Sequence, residues 1–290
     1  MTTHTGDVPT VALTGVTAGL GRATVAALAH QGANLVLLAR DPDKAAAVAD
    51  QARASGSARV EVIACDLSLM ASVRAAVAEL AERGIAIDTL VNDAAVATPT
   101  RAMTSEGNEL MLATNYLGPC LLTRLILADL PNGRPFRLIG VGGPLKAAPD
   151  LADLDSTAAF AVGQAFERSK TALNLFIAAV PRHVPRFDLR AVIYSPGLMK
   201  TGLSATLAAS MNPVVRALAG RALPDPATRA DGLAALVLAT DLAGVDPGSL
   251  VDSHGKVTPM PLRDDIDLQD ALWEVTSQRL GLGDGSRPTA

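Results

Sequence analysis

The chain is poor in aromatic side chains, which make up 3% of its 290 residues: five Phe, two Tyr and one Trp. Chemistry that needs a phenol therefore has two candidates, Tyr116 and Tyr194. Cysteine is equally scarce. Cys65 and Cys120 lie far apart inside apolar segments, which excludes a disulfide framework and a cysteine metal site and leaves two small buried hydrophobes. The four histidines, His4, His30, His183 and His254, form no ligand cluster. The net charge is −4 with no basic cluster, which argues against nucleic acid and anionic membrane surfaces as partners. No apolar run reads as long enough to cross a bilayer. Residues 1–8 read as a flexible polar leader without the charged-then-apolar order of a signal peptide. A cytoplasmic protein is expected, and heavy Ala, Arg and Gly use suggests a high-GC bacterial source.

What is present is apolar and alternating. Hydrophobic residues make up 49% and charged residues 19%, a balance suited to a buried parallel sheet. Apolar runs at 11–13, 34–39, 60–65, 87–91, 136–141, 189–194 and 249–251 predict about seven strands. Helical patterns lie between them: Gly19 to His30, Asp43 to Ser55, Ala71 to Glu82, Ser105 to Leu130 and Thr157 to Val180. Strands alternating with helices mean βαβ units, and right-handed crossovers turn these into an α/β doubly wound parallel sheet with helices on both faces. Residues 1–290 are expected to form one domain, with 201–228 as a lid over a substrate cleft.

The first strand leads into Thr14-Gly15-Val16-Thr17-Ala18-Gly19-Leu20-Gly21 and then a helix. That context makes a glycine loop credible as a dinucleotide cradle. Gly15 permits the tight turn, Gly19 lets backbone approach a pyrophosphate at the helix N-terminus, and Gly21 allows close helix–sheet packing. Arg40 follows the second strand, where a group that recognises the adenosine ribose belongs. A cation there favours a 2′-phosphate, hence NADP(H) over NAD; the alternative is a solvated surface Arg, and the adjacent Asp41 pulls against the NADP reading.

Further motifs carry a family likeness: Asp66-Leu67, Asn92-Asp93-Ala94-Ala95, Ala113-Thr114-Asn115-Tyr116-Leu117-Gly118, Ser169-Lys170-Thr171-Ala172, and Pro196-Gly197 with Thr201. With the glycine loop they resemble the short-chain dehydrogenase/reductase family, specifically its retinol-dehydrogenase-like branch, nearly end to end. The resemblance implies a Rossmann-type domain. It implies a cofactor site of Thr14, Gly15, Thr17, Gly19, Leu20, Gly21, Arg40, Asp66, Leu67, Asn92, Ala94, Lys170, Pro196, Gly197 and Thr201. It also implies that Asn115 and Lys170 belong to a catalytic set.

The departures from the family pattern bear on chemistry. Phe166 stands at the family's catalytic Tyr, Gly143 at its Ser, and Ala95 at the Gly of its Asn-Asn-Ala-Gly motif. A missing general acid costs about 10²–10⁴ in rate, and a missing polarising donor about 10²–10³ more, although such groups act as a unit. Tyr194, at the end of the sixth strand, is the better candidate for a relocated acid; the alternative is a buried core or cleft-wall Tyr. Asp150, Asp153 and Asp155 read as a solvated acidic loop or as a pocket border, and Lys146 as a surface residue. Asp93 is either a structural hydrogen-bond acceptor or a repurposed acid–base group. Lys170 is read first as a ribose holder.

The expectation is an atypical NADP(H)-binding enzyme for a bulky apolar substrate in the cleft under Met199 to Met211, such as a bacterial natural product. Its chemistry is either non-redox cyclisation, dehydration or rearrangement, or hydride transfer without a Tyr acid. An inactive cofactor sensor or partner subunit, with the cofactor structural rather than redox-active, stays open. The two long helices permit a homodimer.

Overall fold

Along each strand, side chains alternate between two apolar layers, and that alternation builds the domain. In β1 (Thr10–Thr14), Val11 and Leu13 face one layer and Ala12 the other, all fully buried. In β2 (Asn34–Ala39), Leu35 and Leu37 join the first layer while Val36 and Leu38 join the second. A strand buried on both faces must read as a continuous apolar run, as these do. The computed structural model describes residues 8–185, 188–209, 223–242 and 244–283.

The remaining strands are β3 (Val60–Ala64), β4 (Thr89–Asn92), β5 (Phe136–Val141), β6 (Leu189–Ser195), β7 (Leu250–Asp252) and β8 (Val257–Thr258). They form one sheet in the order β3-β2-β1-β4-β5-β6-β7-β8, parallel except for β8, which runs antiparallel to β7. The expected doubly wound α/β sheet is present, with one strand more than the seven anticipated. At two residues, β8 is too short to leave an apolar pattern. The chain progresses outward in opposite directions from β1 and from β4. The crevice where the order reverses, at the carboxyl ends of the strands, is where such sheets bind ligands.

Helices α1 (Gly19–His30), α2 (Pro42–Ala54) and α8 (Ala227–Leu238) cover one face. Helices α3 (Met70–Glu82), α5 (Gly118–Asp129), α6 (Val162–His183) and α9 (Ile266–Leu280) cover the other. The two long helices begin later than the sequence pattern suggested. Helix α6 starts at Val162 rather than Thr157 because the Asp153 carboxylate takes the amides of Thr157 (2.7 Å) and Ala158 (2.9 Å) into a loop. The other starts at Leu110 rather than Ser105. There Glu109 caps α4 (Leu110–Leu112) by accepting the Leu112 amide at 2.7 Å. A π-helical segment, Ala113–Leu117, joins α4 to α5.

The continuous helix Leu110–Asp129 corrects the expectation that no apolar run could span a bilayer: its mean hydropathy reaches 1.4, but 89% of that window is buried inside the protein. Of the expected lid, residues 202–209 form α7 (Gly202–Ala209) and residues 223–226 lead into α8. Residues 210–222, including Met211, lie outside the described residues, as do 1–7 of the leader with His4.

Candidate active site

The carboxyl ends of β1, β2, β4, β5 and β6 open into a cleft of about 1080 Å³. That is room for a dinucleotide together with part of a second molecule. The glycine loop forms its floor. Gly15 holds φ +74°, and a Cβ on it would come within 2.9 Å of the Ala94 amide nitrogen. A Cβ on Gly21 would lie 2.4 Å from the Gly15 carbonyl oxygen. Only glycines let β1, the loop and α1 close this tightly. Ala18, at the N-cap of α1, makes no side-chain cap, and the first turn holds no acidic residue. The positive end of α1 is thus free of carboxylates from its own first turn, an arrangement that suits an anion.

Most of the expected cofactor residues line this cleft: Thr14, Gly15, Thr17, Gly19, Leu20, Arg40, Asp66, Leu67, Ala94, Lys170, Pro196, Gly197 and Thr201. Several also hold the frame. The Thr14 hydroxyl accepts the amides of Asp93 and Ala94, each at 3.1 Å, tying β1 to the end of β4. Asp66 accepts the Ser68 amide at 2.9 Å and its hydroxyl at 2.7 Å. The Thr201 hydroxyl accepts the Ser204 amide at 3.1 Å and starts α7. Two expected residues stand behind the cleft rather than in its wall. Gly21 is buried under Gly15. Asn92 is 1% exposed, and its amide donates to the Thr123 hydroxyl at 3.2 Å, pinning β4 to α5.

At the end of β2, the structure separates Arg40 from Asp41. Asp41 caps α2, accepting the Lys44 amide at 3.1 Å and pairing with the Lys44 ammonium at 2.8 Å. The Lys44 contacts hold its carboxyl below the usual range. Arg40 is exposed at the rim of the cleft.

Phe166 and Lys170 lie one turn apart on α6 and both line the cleft. Phe166 packs against the small cluster of Met111, Val162 and Ala165. Lys170 is 5% exposed, and its Nζ is buried without a hydrogen-bond partner among the described residues. Burial pulls its pKa down to about 8, partly offset by the charge of Asp93. Asp93 is pushed up to about 7, again chiefly by burial, against the stabilising charge of Lys170 and an amide hydrogen bond from Gly21.

Asn115 does not reach the cleft. It is fully buried on the π-helical segment, where Oδ1 accepts the Val96 amide at 2.8 Å. Its Nδ2 donates to the Val96 carbonyl and to the Ser169 hydroxyl, both at 3.0 Å. Its work is to fix the 93–97 loop against α6. Tyr194 is corrected as a candidate acid. Its side chain points into the layer under α1 and α8, and its hydroxyl donates to the Arg229 carbonyl at 2.6 Å. Burial raises it to about 12, so it is a poor proton donor as well as a distant one. Tyr116 is no nearer, being fully buried with its hydroxyl 2.6 Å from that of Thr276. The acidic loop is structural: Asp150 accepts the Ala152 amide, Asp153 holds the turn before α6, and Asp155 pairs with Arg279.

Gly143 lines the cleft with open space above it. The Ser195 hydroxyl, 4.0 Å from where a Gly143 Cβ would stand, is the nearest atom. Sequence reading overlooked Ser195 because its β6 neighbour Tyr194 drew attention; strand alternation sends the two side chains to opposite faces. It also did not single out Val96 and Leu145, which join Met199, Leu203 and Leu207 of the expected 199–211 cover in an apolar wall. Leu198, at the mouth, is 76% exposed.

The chain is similar to known proteins along nearly its whole length. Polyprenol dehydrogenase of Mus musculus is 32% identical over 282 residues, covering 94% of this chain and 84% of that protein. Retinol dehydrogenase 13 of Homo sapiens is 28% identical over 285 residues, covering 94% and 85%. Among solved structures, an uncharacterized protein from Mycobacterium paratuberculosis superposes with a TM-score of 0.71 at 27% identity, over 96% of this chain and 97% of that one. Residues 9–212, from β1 past α7, match the short chain dehydrogenase family, and the chain belongs to it.

Proposed function

We propose that the chain binds NADP(H) and acts on a bulky apolar small molecule without a phenol acid. The observation that carries this reading is the cleft wall at α6, where Phe166 stands one turn before the unpartnered ammonium of Lys170. The cradle fits the cofactor. The N-terminal turn of α1 suits the pyrophosphate, and Asp66 with Leu67 borders the adenine end. Asp41 is committed to Lys44, which leaves Arg40 as the cation for a 2′-phosphate. Lys170 holds the nicotinamide ribose and satisfies its orphaned ammonium in doing so. Residues 196–201 flank the nicotinamide.

When bound, reduced nicotinamide supplies a hydride, that is, two electrons with one proton. A simple carbonyl receiving it needs an acid at the oxygen, and Phe166 offers none. A quinone or conjugated alkene spreads the charge over its π-system and takes its proton from solvent. Val96, Leu145, Met199 and Leu207 supply an apolar wall for such a molecule. A tailoring step on a bacterial natural product suits these features.

Titration of NADPH fluorescence tests binding, and loss of the nicotinamide absorbance tests turnover with 9,10-phenanthrenequinone or with a non-conjugated ketone such as 2-decanone. Binding with oxidation by the quinone and not by the ketone supports the reading. Binding with neither acceptor oxidised points to non-redox chemistry or to a sensor. No binding rejects the cofactor assignment.

A further inference from the structure

Asp93 leaves β4 directly beneath the glycine loop. A Cβ on Gly15 would lie 2.9 Å from Asp93 Oδ2, and a Cβ on Gly21 only 2.6 Å from it. The carboxylate is therefore wedged against the loop expected to meet a pyrophosphate. The Gly21 amide, one of the donors at the N-terminus of α1, acts on the carboxylate and favours its ionised form.

Its surroundings compensate the negative charge poorly. From the β1–α1 side it meets backbone, and its own amide is fixed by the Thr14 hydroxyl at 3.1 Å. From α6, Lys170 is the charged side chain that acts on it, without closing to an ion pair among the described residues. A bound pyrophosphate brings further negative charge to the same place, and like charges disfavour the ionised carboxylate. Lys170, turned to a ribose, would share its charge with the cofactor.

We propose that Asp93 is a cofactor-linked proton site: the neutral carboxyl is the form that accepts NADP(H), and binding draws a proton onto it. The inference rests on the reading that this cleft holds NADP(H). Without cofactor the carboxyl already titrates near neutrality, at about 7. With cofactor its pKa rises further. Between the two values, binding carries one proton, so affinity is full below about 7 and falls about tenfold per pH unit above it. Lys170, lowered to about 8, loses its charge over the same range and weakens binding too. The 2′-phosphate also titrates. The 2′-phosphate contribution does not depend on a carboxyl at residue 93, whereas the Lys170 contribution does, because the Asp93 charge raises the Lys170 pKa. Asp93→Asn is therefore compared with its parent both in the native chain and in a Lys170→Met background.

The test is NADPH fluorescence titration of the full chain and of Asp93→Asn from about pH 6 to about pH 8.5, with circular dichroism as a check of folding. The expected result is a parent Kd roughly thirtyfold higher at the alkaline end and a markedly flatter profile in the variant, which binds more tightly there. Calorimetry of the parent near pH 7.5, in two buffers of different ionisation enthalpy, gives a second readout that needs no variant. It should show net proton uptake on binding. A pH-independent parent Kd, the same profile in Asp93→Asn, or no proton uptake overturns the inference while leaving the cofactor reading intact. Absence of NADPH binding at every pH overturns both.

Discussion

Phe166 and Lys170 stand one helical turn apart on α6, and both side chains line the cleft at the carboxyl ends of the strands. The ring packs against the cluster of Met111, Val162 and Ala165, while the ammonium has no hydrogen-bond partner among the described residues. A side chain that bears a buried charge and no hydrogen bond is costly. The fold keeps Lys170 beside a cleft able to hold a ribose and phosphates.

The closeness of the glycine loop makes its packing sensitive to a single methyl group. Gly21→Ala puts a Cβ 2.4 Å from the Gly15 carbonyl and 2.6 Å from Asp93 Oδ2. The expected cost is about 1–3 kcal/mol of stability, read as a lower Tm, together with loss of NADPH binding by fluorescence titration. Unchanged Tm and Kd would show that the loop has more slack than its geometry indicates.

Arg40 should discriminate between the two nicotinamide dinucleotides. Its neighbour Asp41 is committed to capping α2 and to Lys44, so the guanidinium faces the cleft rim without that carboxylate. A charge-assisted hydrogen bond contributes about 1.5–3 kcal/mol, so Arg40→Ala should weaken NADPH roughly tenfold to a hundredfold. NADH affinity should stay nearly constant. Parallel titrations with the two cofactors check this, and equal losses for both would place Arg40 elsewhere than at the 2′-phosphate.

Tyr194 should matter for stability and not for chemistry. Its hydroxyl donates to the Arg229 carbonyl and lies off the cleft. Removing that bond in Tyr194→Phe should cost about 1 kcal/mol, seen in urea denaturation, with NADPH affinity unchanged. A selective loss of turnover at unchanged stability would return Tyr194 to the list of candidate acids.

Much of this was readable in the sequence. Strands buried on both faces leave unbroken apolar runs, so seven of the eight were placed, and the glycine loop with its flanking strand and helix marked the cleft. What escaped depended on side-chain direction. Tyr194 and Ser195 are adjacent in sequence, yet strand alternation sends the first under α1 and α8 and the second into the cleft. Asn115 and Asn92 look like cleft residues by motif. The structure shows their amides spent on Val96, Ser169 and Thr123 instead. Helix starts were missed where Asp153 and Glu109 captured backbone amides at a distance no periodicity reveals.

The most direct test of the account is NADPH-dependent reduction of a non-conjugated ketone such as 2-decanone by the chain as it stands and by the Phe166→Tyr, Gly143→Ser double variant. The first change supplies a phenol one turn from Lys170, and the second places a hydroxyl in open space where, among the described residues, the Ser195 oxygen is the near atom, 4.0 Å from the new Cβ. The account predicts little carbonyl reduction by the parent and a gain of at least about 10²-fold in the variant. Rapid reduction by the parent, with no gain in the variant, would contradict it.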